Sequence, residues 1–224
     1  MHSVTIAVID SGVNVPHPHL AAVAGGVSFD LKGKESDDFV DRLGHGTATA
    51  AVIHEKAPDA ELFAVRVFDR QLATTVPTLA GAIDWASSRG LRLVNLSLGT
   101  PNDFRQAELE PAVHRAVERG TIIVSAYEHN DRLWYPGSME GVVGVIMDAD
   151  HPRDSVSEGT RNGRTVVRAS GLPRPVPGVP VERNLSGISF AVANATGVLA
   201  SLLAGHPDIV TAEAALPLLL ERPT

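Results

Sequence analysis

The sequence predicts an α/β fold, a three-layer doubly wound domain with a mostly parallel central sheet. Two observations carry this. Short apolar runs alternate with segments of helical periodicity along all 224 residues, and such alternation builds a parallel sheet with right-handed crossovers. The length and a 44% hydrophobic content suffice to bury one sizeable core, so residues 1–224 read as a single domain.

The first run, Val4 to Ile9, reads as a buried strand and ends at Asp10-Ser11-Gly12, a turn signal. A carboxylate directly after a parallel strand lies at the carboxyl edge of the sheet, where open α/β folds place their sites. Neither G-x-G-x-x-G nor G-K-[ST] follows it, which argues against a nucleotide site. From Pro16 to Val40 the chain is turn-rich, and His17 and His19 read as ordinary polar surface.

Gly44-His45-Gly46-Thr47 opens a helix through Ile53. A helix start disfavours a charged imidazole, so His45 is expected to be neutral and available as a base. Glu61 to Phe68 reads as a strand, and Val76 to Ser88 as a helix closed by Gly90. Leu91 to Leu98 is a strand interrupted by Asn95 and Ser97. A helix over Phe104 to Glu118 and a strand over Thr121 to Ala126 follow, and then the polar turn Tyr127 to Asp131. Val142 to Met147 is a further strand. Asp148 to Leu185 reads as irregular, with one strand at Thr165 to Ala169. A loop then delivers Ser189 to the first turn of a buried helix ending near Leu203, and a last helix covers Thr211 to Leu220. At such a helix start, unpaired N–H groups and the dipole would stabilise an oxyanion.

Composition narrows the function classes. A formal net charge of -7 argues against general nucleic-acid binding. No apolar run approaches the roughly 20 residues of a membrane span, so no membrane partner is expected. No secretion-signal pattern opens the sequence and no pro-segment is visible. With zero cysteines, which rule out disulfides and thiol chemistry, the expected setting is cytoplasmic. No cofactor or metal is expected, since no loop offers the six or more oxygen ligands of a calcium site.

Asp10, His45 and Ser189 thus stand at strand ends or helix starts. Together they form a set in which an acid orients a histidine, the histidine takes the serine proton, and the serine attacks a carbonyl. Their order along the chain is that of subtilisin. Several motifs resemble those of the subtilisin-like serine peptidases, and the resemblance covers nearly the whole chain. Asp10-Ser11-Gly12-Val13 with His17-Pro18-His19-Leu20 looks like the aspartate motif, and Gly44-His45-Gly46-Thr47 with the helix to Ile53 is similar to the histidine motif. Asn95-Leu96-Ser97-Leu98-Gly99, Tyr135-Pro136, Gly141 to Val145 and Ser186-Gly187-Ile188-Ser189-Phe190-Ala191 complete the likeness. The resemblance implies a serine endopeptidase, with Asp10, His45 and Ser189 catalytic. It also implies that Ser97, Leu98 and Gly99 pair with the backbone of an extended peptide or protein substrate. The alternative is an inactive fold of this kind that binds a peptide by strand addition.

The departures lie around the oxyanion. Where the family has Gly-Asn after its strand, ungapped counting from Gly120 places Glu128 and His129, with Asn130 one residue later. An amide donates at every pH and a neutral imidazole only in one tautomer, so Asn130 ranks ahead of His129 as the side-chain donor.

Overall fold

The computed structural model describes residues 3–180 and 183–220. Its centre is a nine-stranded sheet whose strands, in sequence, are Thr5–Asp10 (β1), Gly25–Phe29 (β2), Glu35–Ser36 (β3), Glu61–Arg66 (β4), Leu93–Leu96 (β5), Ile122–Ala126 (β6), Val142–Asp148 (β9), Val156–Arg161 (β10) and Arg164–Ser170 (β11). Glu128–His129 (β7) and Arg132–Leu133 (β8) form a separate hairpin. In space the large sheet runs β10-β11-β9-β6-β5-β1-β4-β2-β3. From β11 to β2 every pairing is parallel, and only the two edge pairs are antiparallel.

Among the described residues, five α-helices cover the sheet: His45–Lys56 (α1), Val76–Ser88 (α2), Gln106–Glu118 (α3), Ile188–Leu203 (α4) and Ala212–Leu220 (α5). β1 shows how one strand serves both layers, because its side chains alternate between faces. Ile6 and Val8 pack with α1, α4 and α5, while Ala7 and Ile9 pack with α2 and α3. The expected three-layer arrangement is therefore the one found. Among the described residues, no helix is long and apolar enough to cross a membrane.

Helix α4 runs through the core with most of its residues buried. Its small side chains let α1 come close, since a Cβ added at Gly197 would lie 3.0 Å from Lys56 Cβ. This packing brings the first turns of both helices to the carboxyl edge of the sheet, beside the ends of β1 and β5.

Two stretches differ from the sequence expectation. The turn-rich segment before Val40 contains β2. Its Gly25-Gly26 start hides strand character, but a Cβ at Gly26 would sit 2.5 Å from Ala64 O and 2.7 Å from the Phe39 ring. Close approach to β4, not side-chain propensity, selects that strand. The segment expected to be irregular contains β10, a mostly polar edge strand joined to β11 by Asn162 and Gly163, both at positive φ.

Candidate active site

Asp10 ends β1 and is fully buried, and His45 is the first residue of α1. His45 Nδ1 and Asp10 Oδ1 are 2.7 Å apart, and the same oxygen accepts the Ser11 backbone N–H at 2.7 Å. An acceptor fixed in this way holds the proton on Nδ1 and leaves Nε2 as the basic nitrogen. The second Asp10 oxygen accepts from the Thr49 hydroxyl at 3.5 Å. The Phe190 ring, one residue after Ser189, tilts against the imidazole with centroids 5.7 Å apart.

Burial pushes the His45 pKa down, but the hydrogen bond to Asp10 and the charges of Asp10 and Asp41 outweigh it, so the net shift is upward. This corrects the expectation that the helix start would make His45 more readily neutral. A fully buried carboxylate at hydrogen-bond distance acts more strongly than the partial charges of one helix terminus.

Ser189 is the second residue of α4 and is half-buried. Its hydroxyl donates to Ser97 O at 3.0 Å, and the Ser97 hydroxyl donates back to Ser189 O at 3.2 Å. A serine has one O–H to give, so this hydroxyl is committed to a backbone carbonyl and not to His45. Such catalytic contacts often tighten only when substrate is bound.

Ser97, Leu98 and Gly99 follow β5 and line an open cleft of about 720 Å³ together with His45 and Ser189. Thr100 exchanges backbone hydrogen bonds with Tyr135 at 3.0 and 2.9 Å. Among the described residues, Leu98 and Gly99 have no backbone hydrogen-bond partner, so their N–H and C=O groups are available to an added strand. Gly99 must be small, because a Cβ there would lie 2.5 Å from Tyr135 O and 3.1 Å from the Trp134 ring.

The hairpin after β6 separates the two oxyanion candidates. Asn130 and Asp131 form its two-residue tip at φ 51 and 58, the geometry of a type I′ turn. Asn130 is exposed at that tip and does not line the cleft. His129 lines the cleft and meets Trp134 edge-on, with ring centroids 5.6 Å apart. The geometry therefore favours the second-ranked candidate over the first. Turn chemistry accounts for this: the positive φ values favour Asn at the tip, which is reason enough for its presence.

Trp134 and Asp41 were not singled out from the sequence. Asp41 stands four residues before His45 and is buried, with 5% of its surface exposed. An acidic residue just ahead of a helix that opens Gly-His-Gly-Thr was the only signal available.

The subtilase family profile, peptidase S8, matches residues 1–221. Subtilisin Savinase of Lederbergia lenta is 32% identical over 219 residues, covering 92% of this chain and 76% of that one. An alkaline protease of Alkalihalobacillus alcalophilus is also 32% identical over 219 residues, but the match spans only 53% of its length. Among solved structures, sphericase superposes with a TM-score of 0.71 at 22% identity, covering 98% of this chain and 84% of its own. A cold adapted subtilisin-like serine proteinase also reaches 0.71, at 24% identity and with 96% and 79% coverage. At such identities the superpositions speak for the fold alone.

Proposed function

The chain belongs to the subtilase family, and from that premise we propose that it is a serine endopeptidase acting through an acyl-enzyme on Ser189. One observation carries the reading: a histidine and a serine at a helix start share one cleft, and a fully buried carboxylate bonds to that histidine from behind at 2.7 Å. In this reading Ser189 Oγ attacks the substrate carbonyl carbon while His45 Nε2 takes its proton. Asp10 stays ionised and stabilises the resulting imidazolium. The Ser189 N–H and a His129 ring N–H hold the oxyanion. His45 then returns the proton to the leaving amine. In the second half water attacks the acyl carbon while His45 takes its proton, and that proton passes to Ser189 Oγ as the ester bond breaks and the acid leaves.

Substrate is an extended peptide paired with Leu98 and Gly99. That pairing supplies binding energy far from the scissile bond, and the energy serves orientation there. A hexapeptide should therefore be cleaved with a much higher kcat/KM than a single-residue ester. The finer part of the proposal is a narrow substrate range, such as maturation of one precursor peptide. The Trp134 ring packed over Gly99 supports it, because it takes up room along the cleft wall.

A second reading, a peptide-binding protein without turnover, draws on the Ser189 hydroxyl being given to Ser97 O. Labelling with a fluorophosphonate separates the two. An activated serine is modified at Ser189 and the Ser189→Ala variant is not. A binder stays unlabelled while still retaining peptide.

A further inference from the structure

We propose that Asp41 is a positioning residue of the reaction, a buried carboxylate that ties the Asp10 turn to the first turn of α1 and so sets where His45 stands. The inference rests on the peptidase reading, and its basis is the hydrogen bonding of one side chain. Asp41 Oδ1 accepts from the Ser11 hydroxyl at 2.8 Å and from the Leu43 and Gly44 N–H groups at 2.9 and 2.8 Å. Oδ2 accepts from the Thr47 N–H at 2.9 Å and its hydroxyl at 2.6 Å. Five donors converge on one carboxylate, and they come from both sides of His45.

The path to the imidazole is short. Ser11 Oγ, which donates to Asp41, accepts the Gly46 N–H at 2.9 Å. Ser11 N–H in turn is bonded to the Asp10 oxygen that meets His45. Asp41 therefore reaches His45 along two routes, through its neighbours Gly44 and Thr47 in the chain and through Ser11 to Asp10. Helix α1 has no side-chain cap at Gly44, and Asp41 takes over the task of satisfying its first N–H groups. Burial alone would raise the Asp41 pKa, but the Thr47, Leu43 and Ser11 hydrogen bonds win and lower it. The group is thus ionised throughout the working range. Its charge joins that of Asp10 in favouring protonated His45.

An amide cannot do the same work. Asn at position 41 keeps one acceptor oxygen and turns an NH2 toward donors that already point inward. Asp41→Asn should lower kcat by about a hundredfold, the cost of misplacing a catalytic group by an ångström or so, with KM unchanged because the residue does not line the substrate cleft. Removing its charge should also move the His45 titration to lower pH. The charged groups facing His45 are Asp10 and Asp41, while α4 presents the uncharged Phe190. His129 lies across the same cleft, so the His45 ring is followed individually by NMR. Ser11→Ala keeps the Asp41 charge. It should therefore lower kcat by less and leave the His45 midpoint where it is.

Folded Asp41→Asn protein with wild-type kcat and an unmoved His45 midpoint overturns the proposal, and so does a change confined to KM. Should Asp41→Asn not fold, Ser11→Ala with wild-type kcat overturns it instead. A wild-type chain that neither cleaves peptide nor takes the fluorophosphonate would refute the peptidase reading. The His45 midpoint would then still decide whether Asp41 acts on that ring.

Discussion

The two halves of the site are built to different standards. On the Asp10–His45 side, both carboxylates are fully engaged. Asp10 is closed in by Ser11 and Thr49, and Asp41 collects five donors. The backbone is packed so tightly that a Cβ at Gly46 would lie 2.2 Å from Gly12 O. On the Ser189–His129 side the serine proton is lent to Ser97 O, and the proposed second oxyanion donor sits on a two-stranded hairpin with an exposed tip. The difference teaches where pre-organisation is needed before substrate arrives. The base must already be oriented, since nothing in a peptide orients it. The nucleophile and the oxyanion donors can be completed by the substrate backbone itself.

The comparison is broken most severely by removing the reacting groups. Ser189→Ala and His45→Ala should each abolish peptide cleavage while peptide binding persists. Because they act as a unit, the double variant should be little worse than either. Additive losses in rates of peptide hydrolysis would mean that the two do not share one step.

Next in size is the looser half. His129→Ala should lower kcat by about a hundred- to a thousandfold, or roughly 3–4 kcal/mol, a magnitude taken from the side-chain oxyanion donor of a related enzyme. Asn130→Ala should do much less, since its side chain belongs to the turn tip. The reverse ranking in steady-state kinetics would return the role to Asn130.

On the rigid half, Gly46→Ala drives a methyl into the Gly12 carbonyl. Both segments are held, so the overpacking should cost about 1–3 kcal/mol of stability, seen as a lower midpoint in urea unfolding. At the hairpin tip, Asp131→Gly relieves a non-glycine residue of φ 58 and produces the favoured Asn-Gly pair. Relief and the added chain entropy oppose each other. The net change should stay within about 1 kcal/mol and turnover should hold. A large loss at Asp131 would show that the hairpin is as closely fitted as the Asp10 side.

The same contrast explains what the sequence could reveal. Asp10, His45 and Ser189 were legible because each lies within two residues of a glycine at a strand end or helix start, a local pattern. β10 was legible in principle, since Asn162-Gly163 is a type I′ turn signal, but its polar edge character masked the strand around it. β2 was not, because its Gly26 is explained only by the carbonyl of Ala64 and the ring of Phe39. The role of Asp41 depends on Ser11, 30 residues away, and the Ser189 hydroxyl meets a carbonyl 92 residues away. Contacts of that range have no local spacing to betray them. The choice between His129 and Asn130 turned on a hairpin register that the polar run Glu128 to Asp131 does not display.

The central claim is that His45, held by Asp10, is the base that activates Ser189. The most direct test is the pH dependence of single-turnover peptide cleavage. His45 is inactive when protonated, and Asp10 and Asp41 hold its pKa above the ordinary value of about 6.5. The rate should therefore rise with pH along a single titration whose midpoint lies above that value. A rate flat from pH 5 to 9 would remove His45 from the role of base, and a midpoint below about 6.5 would contradict the claim that the two carboxylates outweigh its burial.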